Sequence, residues 1–398
     1  MDKPLHILHL FNHYLNKSEH WAYDLMVHTP GVKQSIAAKR YLPNNFYHDS
    51  FSFIETYQGS LIEAPIDPKA WQWGRRALKR MGRYLFSKGV YHDEAIILDY
   101  ILANKVDLLH AHFAPVAVNY KKIIEQANIP LVVSFYGFDY EFLPYTQPRY
   151  RKEYQWLFQK ADKILCEGPH GIEILTKMGC PAEKLAIQRL GIPPQPVLKR
   201  PFKNLQTLRL LQIAAMTEKK GQLDTVMAFH QSLDSCPNMQ LTLVGNARDE
   251  DYMNRVMNYI KANSLEGKIQ CIDWVASDEL ADLMSKHHVF IHPSRYSRYR
   301  DCEGGAPVVL MYAQWQGMPI IATQHCDIPF IVKYGKLSKE GDIDALVRTI
   351  THYYNMDNEV YLRSCKQVEE FAHSKFDIHT LAKELRQKYE SLQSLSIQ

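Results

Sequence analysis

The stretch RDCEGGAPVVLMYAQWQGMPIIATQHCDIPFIV, residues 300 to 332, places one carboxylate, Glu303, directly before Gly304-Gly305-Ala306-Pro307 and a run that can form a helix. Proline suits the first turn of a helix, and paired glycines let a ligand approach the backbone closely. A helix start presents N–H groups, so the place suits an anion, above all a diphosphate. Glu303 there would accept hydrogen bonds from hydroxyls of whatever carries the diphosphate. A lone Glu-Gly more often decorates a loop, so the reading needs a second element. AAMTEKKGQLDTVMAF, residues 214 to 229, supplies one, because Lys219-Lys220-Gly221 falls at the end of an apolar run and before a helical pattern. A lysine there is a point charge aimed at the same anion, although such a turn taken alone is usually a solvated one.

Those residues need strands to hold them. Short apolar runs recur at Leu5 to Leu10, Val106 to His110, Leu131 to Phe135, Lys163 to Cys166 and Leu185 to Leu190. They resume at Leu208 to Ile213, Leu241 to Val244, Lys268 to Ile272, Val289 to Ile291 and Pro319 to Thr323. Each is followed by a longer amphipathic segment, the pattern of parallel strands covered on both faces. Between the two series, IPPQPVLKRPFKN reads as a linker. The expected architecture is α/β, with two Rossmann-like doubly wound domains facing a central cleft into which the strand carboxyl ends open. Their bounds are 1–195 for the first domain, 196–206 for the linker and 207–375 for the second domain, with 376–398 as a terminal helix. Leu381, Leu385 and Tyr389 give that helix an apolar stripe, which by pattern alone packs on its own domain.

Composition narrows the function classes. A chain of 398 residues that is 46% hydrophobic can bury two cores of about 200 residues each. With 47 basic against 43 acidic residues the net charge is only +4, which argues against nucleic acid as a partner. The seven cysteines are scattered and never form CxxC, which favours a reducing compartment and offers no zinc spacing. No Asp-x-Asp pair suits Mg2+ either, so no metal or cofactor is expected. The amino end lacks a cationic segment followed by an apolar core, and no window has the length of a membrane span. A cytoplasmic location follows as the expectation, with peripheral contact to the inner face of the cell membrane still open.

EKKG, LVGN at 243 to 246, IHPS at 291 to 294 and the whole run from Glu303 to Val332 together resemble the retaining glycosyltransferases of family four, the group 1 type with the GT-B fold. SEHW at 18 to 21, HAHFAP at 110 to 115, SFYGFDY at 134 to 140 and IQRLGIPP at 187 to 194 are similar to the acceptor-side half of members that build bacterial surface polysaccharides. The resemblance implies transfer of a sugar, with retention, from a UDP- or GDP-linked donor to a glycan acceptor of lipid-linked type. Glu303 would hold hydroxyls of the donor sugar. Lys220 and the amides near Gly304, Gly305 and Ala306 would neutralise the departing diphosphate. His112 would reach the reacting sugar from the first domain, and Asn246 and Ser294 would line the donor pocket. The leaving phosphate is thought to take the acceptor's proton on the same face, so a missing carboxylate nucleophile is no objection. In such enzymes the terminal helix crosses back to the first domain, against the pattern-based reading.

Two positions depart from the family. Ala215 stands where an arginine commonly adds a charge-assisted fork to the diphosphate. Tyr312 stands where a second glutamate would hold the ribose. These departures keep a non-catalytic nucleotide-sugar-binding partner among the alternatives, beside a sugar-nucleotide epimerase of the same fold. One local basic surface remains, WQWGRRALKRMGRYLFSKG at 71 to 89, with Arg75, Arg76, Lys79, Arg80, Arg83 and Lys88 and no acid among them. Cations mixed with large aromatics suit an anionic membrane surface, and a solvated helix packed by its leucines is the plainer reading.

Overall fold

A computed structural model of the chain describes residues 4–14, 19–41, 51–55, 94–201 and 207–393. The segment 71–89 lies outside the described residues. The apolar runs form two parallel sheets. The first contains β1 (Leu5–Tyr14), β2 (Val32–Tyr41), β3 (Ser52–Glu55), β4 (Leu108–His112), β5 (Leu131–Phe135), β6 (Lys163–Cys166) and β7 (Leu185–Ile187), in the order β3-β2-β1-β4-β5-β6-β7. The second contains β8 (Leu208–Ile213), β9 (Met239–Val244), β10 (Ile269–Ile272), β11 (Val289–His292), β12 (Ile320–Thr323) and β13 (Lys336–Ser338), in the order β10-β9-β8-β11-β12-β13. Each order turns once, between β1 and β4 and between β8 and β11. At such a switch point the two connections leave in opposite directions, and in open parallel sheets this is where ligands are commonly bound.

The strands form where burial is continuous. All five residues of β4 and of β5 are buried, as strands covered on both faces require. β2, β3 and β13 are additions to the apolar runs. Among the β2 residues whose burial is described, only the short centre Ser35-Ile36-Ala37-Ala38 is buried, flanked by Lys33, Lys39 and Arg40, so no apolar run announces it. β3 and β13 have four and three residues, too few to show a period.

Packing divides the chain into two units. One comprises Met1–Ser134, Glu153–Ile164 and Arg386–Gln398, and the other Phe135–Lys152 and Leu165–Leu385. In the second unit a core including Leu210, Leu241, Phe229, Val256, Ile291 and Ile350 binds helices to the sheet. Asp249, Asp342 and Asp357 start three of its helices by accepting from backbone N–H groups in the first turn. Along the last helix, Ile378–Gln393, the predicted stripe of Leu381, Leu385 and Tyr389 is buried. Its residues from Arg386 on group with the first unit, where the Tyr389 hydroxyl lies 2.7 Å from His110 Nδ1.

Candidate active site

In the second unit the loops after β8 and β11 meet at the switch point. Gln222 donates to the carbonyls of Ala214 and Ala215 at 3.2 and 3.0 Å, and Gln212 donates to the Lys220 carbonyl at 2.7 Å. These bonds fix the short helical turn Glu218–Lys220, which Gly221 closes in the left-handed region at φ +68°. A Cβ on Gly221 would stand 2.1 Å from the Pro293 carbonyl oxygen, so only glycine lets the two loops touch.

Lys220 then reaches Glu303, its Nζ donating to Oε2 at 2.6 Å. Ser294, which is fully buried, donates to the other oxygen at 2.7 Å, and His292 Nε2 stands 3.5 Å from that same atom. Burial by itself would raise the Glu303 pKa. Lys220, with His292 and Lys219 behind it, instead holds the carboxyl well below the usual carboxylate range. Glu303 is therefore a buried anion with both oxygens engaged. Lys219 turns elsewhere, to Asp301 Oδ1 and the Cys302 carbonyl, both at 3.0 Å.

The glycines after Glu303 allow close approach, here by the chain itself. Gly304 has φ +73°, and a Cβ there would lie 2.0 Å from the Cα of Gly137. The Gly305 N–H donates to the Glu303 carbonyl at 3.0 Å, and the Ala306 N–H donates to Glu167 Oε2 at 3.4 Å. Glu167 is half-buried, and its partial loss of hydration, with Asp327 nearby, pushes its pKa up to about 8, so it is largely protonated at neutral pH. Pro307 stands at the N-cap with ψ 124°, and the helix Val308–Trp315 begins one residue after it. Tyr312 is half-buried on this helix, between the buried Met311 and Ala313. Asn246 follows β9 and is exposed, and its carbonyl accepts from the Met216 N–H at 2.9 Å.

His112 belongs to the first unit. The register pairs His9 of β1 with His110 of β4, and His112 lies two residues on, so three imidazoles share one face. His9 Nδ1 and His112 Nε2 are 2.9 Å apart, and the His112 ring stacks on Phe11 at 4.4 Å and on His110 at 4.2 Å. Burial lowers the pKa of all three, that of His9 to about 3, which keeps the rings neutral.

The structure thus brings Lys220, Ser294 and Glu303 together and adds residues to which the motifs assigned no role. His292 touches Glu303 and ends a strand, a signal that was present in IHPS. His325 accepts from the Glu303 N–H at 3.1 Å and stands at the end of β12. Cys302, Cys326, Glu141 and His170 gather near it, and no spacing along the chain announces that group.

Comparison with known proteins agrees with this fold. The model of the glycosyl transferases group 1 matches residues 198–372, and that of glycosyltransferase family 4 matches residues 89–195. WcaL of Escherichia coli strain K12, named as a colanic acid biosynthesis glycosyltransferase, is 29% identical over 294 residues, 72% of this chain and 71% of that protein. The amylovoran biosynthesis glycosyltransferase AmsK of Erwinia amylovora is 27% identical over 293 residues, 71% of this chain and 70% of that one. Among solved structures, Anabaena HepE in complex with UDP and glucose superimposes with a TM-score of 0.71 at 14% identity, covering 98% of this chain and all of that one. The chain belongs to the glycosyltransferases of group 1 and family 4, with the GT-B fold.

Proposed function

We propose that this enzyme transfers a glycosyl group, with retention, from a nucleotide-sugar donor to a growing glycan of lipid-linked type during assembly of a bacterial surface polysaccharide. The observation that carries the proposal is Glu303, held ionised by Lys220 and Ser294 at a sheet switch point. A diphosphate competing for Lys220 would release Oε2 to accept from a sugar hydroxyl. Lys220 would then stabilise the charge that develops on the leaving phosphate, work that needs no metal ion on the diphosphate. His112 serves the reacting sugar in this reading. Asn246, Ser294, Tyr312 and the backbone from Gly304 to Ala306 form the donor pocket. The names of WcaL and AmsK support a polysaccharide pathway, and the UDP bound by HepE supports a uridine donor over a guanosine one.

The test incubates the purified chain with UDP- and GDP-sugars and a lipid-linked glycan fraction. Expected are release of the nucleoside diphosphate, an acceptor heavier by one sugar, and a product anomer matching the donor's. An isomeric sugar nucleotide formed without acceptor would make the protein an epimerase. Binding without either product would make it a non-catalytic partner.

Among the described residues no helix is long and apolar enough to cross a membrane. Residues 71–89 are the proposed contact with an anionic bilayer at the inner face of the cell membrane. Replacing Arg76, Lys79, Arg80 and Arg83 by glutamine should weaken binding to anionic liposomes, at about 1 kcal/mol for each charge. Unchanged binding would remove the segment from any membrane contact.

A further inference from the structure

We propose that Cys302, His325 and Cys326, completed by the Glu141–His170 pair, form a binding site for a thiophilic divalent cation such as zinc. More than twenty residues separate Cys302 from the other two, and the adjacency of β11 and β12 closes that distance. Sγ of Cys302, Sγ of Cys326 and a ring nitrogen of His325 all lie within 4.8 Å of one another, and Cys326 Sγ is 3.3 Å from His325 Nε2. Tetrahedral zinc, with bonds of about 2.3 Å to sulfur and about 2.0 Å to nitrogen, holds such donors about 3.3 to 3.8 Å apart. The three donors, no more than 4.8 Å apart, therefore need to close by about 1.5 Å at most. Among the described residues this is the one three-residue donor group with two sulfurs.

Three independent features suit a cation. His325 Nδ1 is 2.6 Å from Glu340 Oε1, and the Tyr296 N–H holds the other oxygen of Glu340 at 2.9 Å. A carboxylate on one ring nitrogen fixes the tautomer and turns the lone pair of the other toward a metal. Cys326 Sγ also lies within 4.8 Å of Glu141 and His170, whose Oε1 and Nε2 are 2.5 Å apart, so a fourth donor is at hand beyond the triad. Finally, Cys326 has φ +45°, a left-handed conformation that cysteine rarely adopts and that surrounding structure must enforce. Cys302 and His325 are buried while Cys326 is half-buried, which gives an ion a route in.

Binding would release two thiol protons to solvent and form two metal–sulfur bonds, with no oxidant required. The ion would take the Nε2 lone pair that now accepts from the Glu303 N–H, so its presence would bear directly on the backbone of that residue. The site lies apart from the diphosphate role given to Lys220, and its test uses no sugar donor.

The experiment is a titration of the full, metal-stripped and reduced chain with cobalt(II), followed by displacement with zinc(II). Expected are one equivalent bound, visible bands of tetrahedral cobalt and a near-ultraviolet thiolate-to-cobalt transition. Cys302→Ser and Cys326→Ser should each abolish that transition's two-sulfur intensity. Glu340→Gln, which keeps both thiols and the fold, should weaken affinity about 10- to 100-fold. Absence of a thiolate–cobalt band in the parent protein overturns the proposal, as does a band that survives the double serine variant. Recovery of Cys302 and Cys326 as a disulfide, with no cobalt bound after reduction, overturns it in favour of a redox pair.

Discussion

Glu303 keeps its charge in a buried place because Lys220 and Ser294 each take one of its oxygens. Removing Lys220 leaves that anion with neutral partners, and losing one side of a buried pair costs about 3 to 5 kcal/mol in full burial. Lys220 keeps 19% of its side-chain surface exposed, so Lys220→Ala should cost less, about 2 kcal/mol, and still fold. Transfer should fall by about 100- to 1,000-fold in Lys220→Ala and in Glu303→Ala, the scale of losing one group that stabilises developing charge. Steady-state kinetics beside thermal unfolding separates the two effects, and near-native kcat/KM in either variant would remove these residues from the mechanism. Tyr312 offers a different test. If Tyr312 takes the place of a ribose-holding glutamate, as the resemblance implies, one phenol hydroxyl stands for a carboxylate able to hold two ribose hydroxyls, a loss of about 1.5 to 3 kcal/mol. The position is half-buried, so a glutamate there need not be desolvated completely. Tyr312→Glu should tighten calorimetric binding of the nucleoside diphosphate about tenfold to a hundredfold and change kcat little. Equal affinity in both forms would mean that this side chain does not face the ribose.

At the scale of elements, strand ends made part of the site legible. Glu303 and Lys220 each follow an apolar run, and a sequence read for such runs finds them. The donor group of Cys302, His325 and Cys326 was hidden because neighbouring strands, and not spacing, bring it together. The histidine stack was hidden in the same way, since His9 meets His110 only through the pairing of β1 with β4. Pro307 was placed one position too far inside its helix, as its extended ψ delays the first helical residue to Val308. The last helix supplies a further prediction. Within the first unit the Tyr389 hydroxyl meets His110 Nδ1 at 2.7 Å, while Ser134 Oγ meets Nε2 at 2.8 Å. Tyr389→Phe keeps the ring and its packing but leaves a buried ring nitrogen without that partner. The expected cost is about 1 to 3 kcal/mol, read as a lower urea midpoint with an unchanged slope. An unchanged midpoint would show that the helix is held by its apolar stripe alone.

Across the whole molecule, the two parallel sheets were readable because their central strands are mostly apolar and buried along most of their length, whereas β2, β3 and β13 were too polar or too short to stand out. The same full burial gives the protein an acid-sensitive side. His9 is wholly buried, and burial lowers its pKa from 6.5 to about 3 against a smaller opposing influence of the Gln34 side chain. Its folded pKa lies below its unfolded one, so between pH 6.5 and 3 the unfolded chain binds a proton that the folded chain refuses. Stability from this group is complete above pH 6.5 and declines as pH falls through that window, by about 1.4 kcal/mol per pH unit. His110 and His112 are shifted in the same direction by burial and by their neighbours, and they steepen the acid limb. Other groups contribute too, Glu167 with the opposite sign because its folded pKa is raised, so the absolute slope does not isolate one residue. A difference between two chains does. His9→Leu loses the bond to His112 and is therefore less stable at pH 7 by a constant amount. Its urea midpoint should nevertheless fall less steeply on acidification, the two curves converging by about 1.4 kcal/mol for each unit between pH 6 and pH 4.5. Parallel curves would mean that His9 is already charged in the folded protein, or that water reaches the stack, and in either case the neutral histidine face would have to be abandoned.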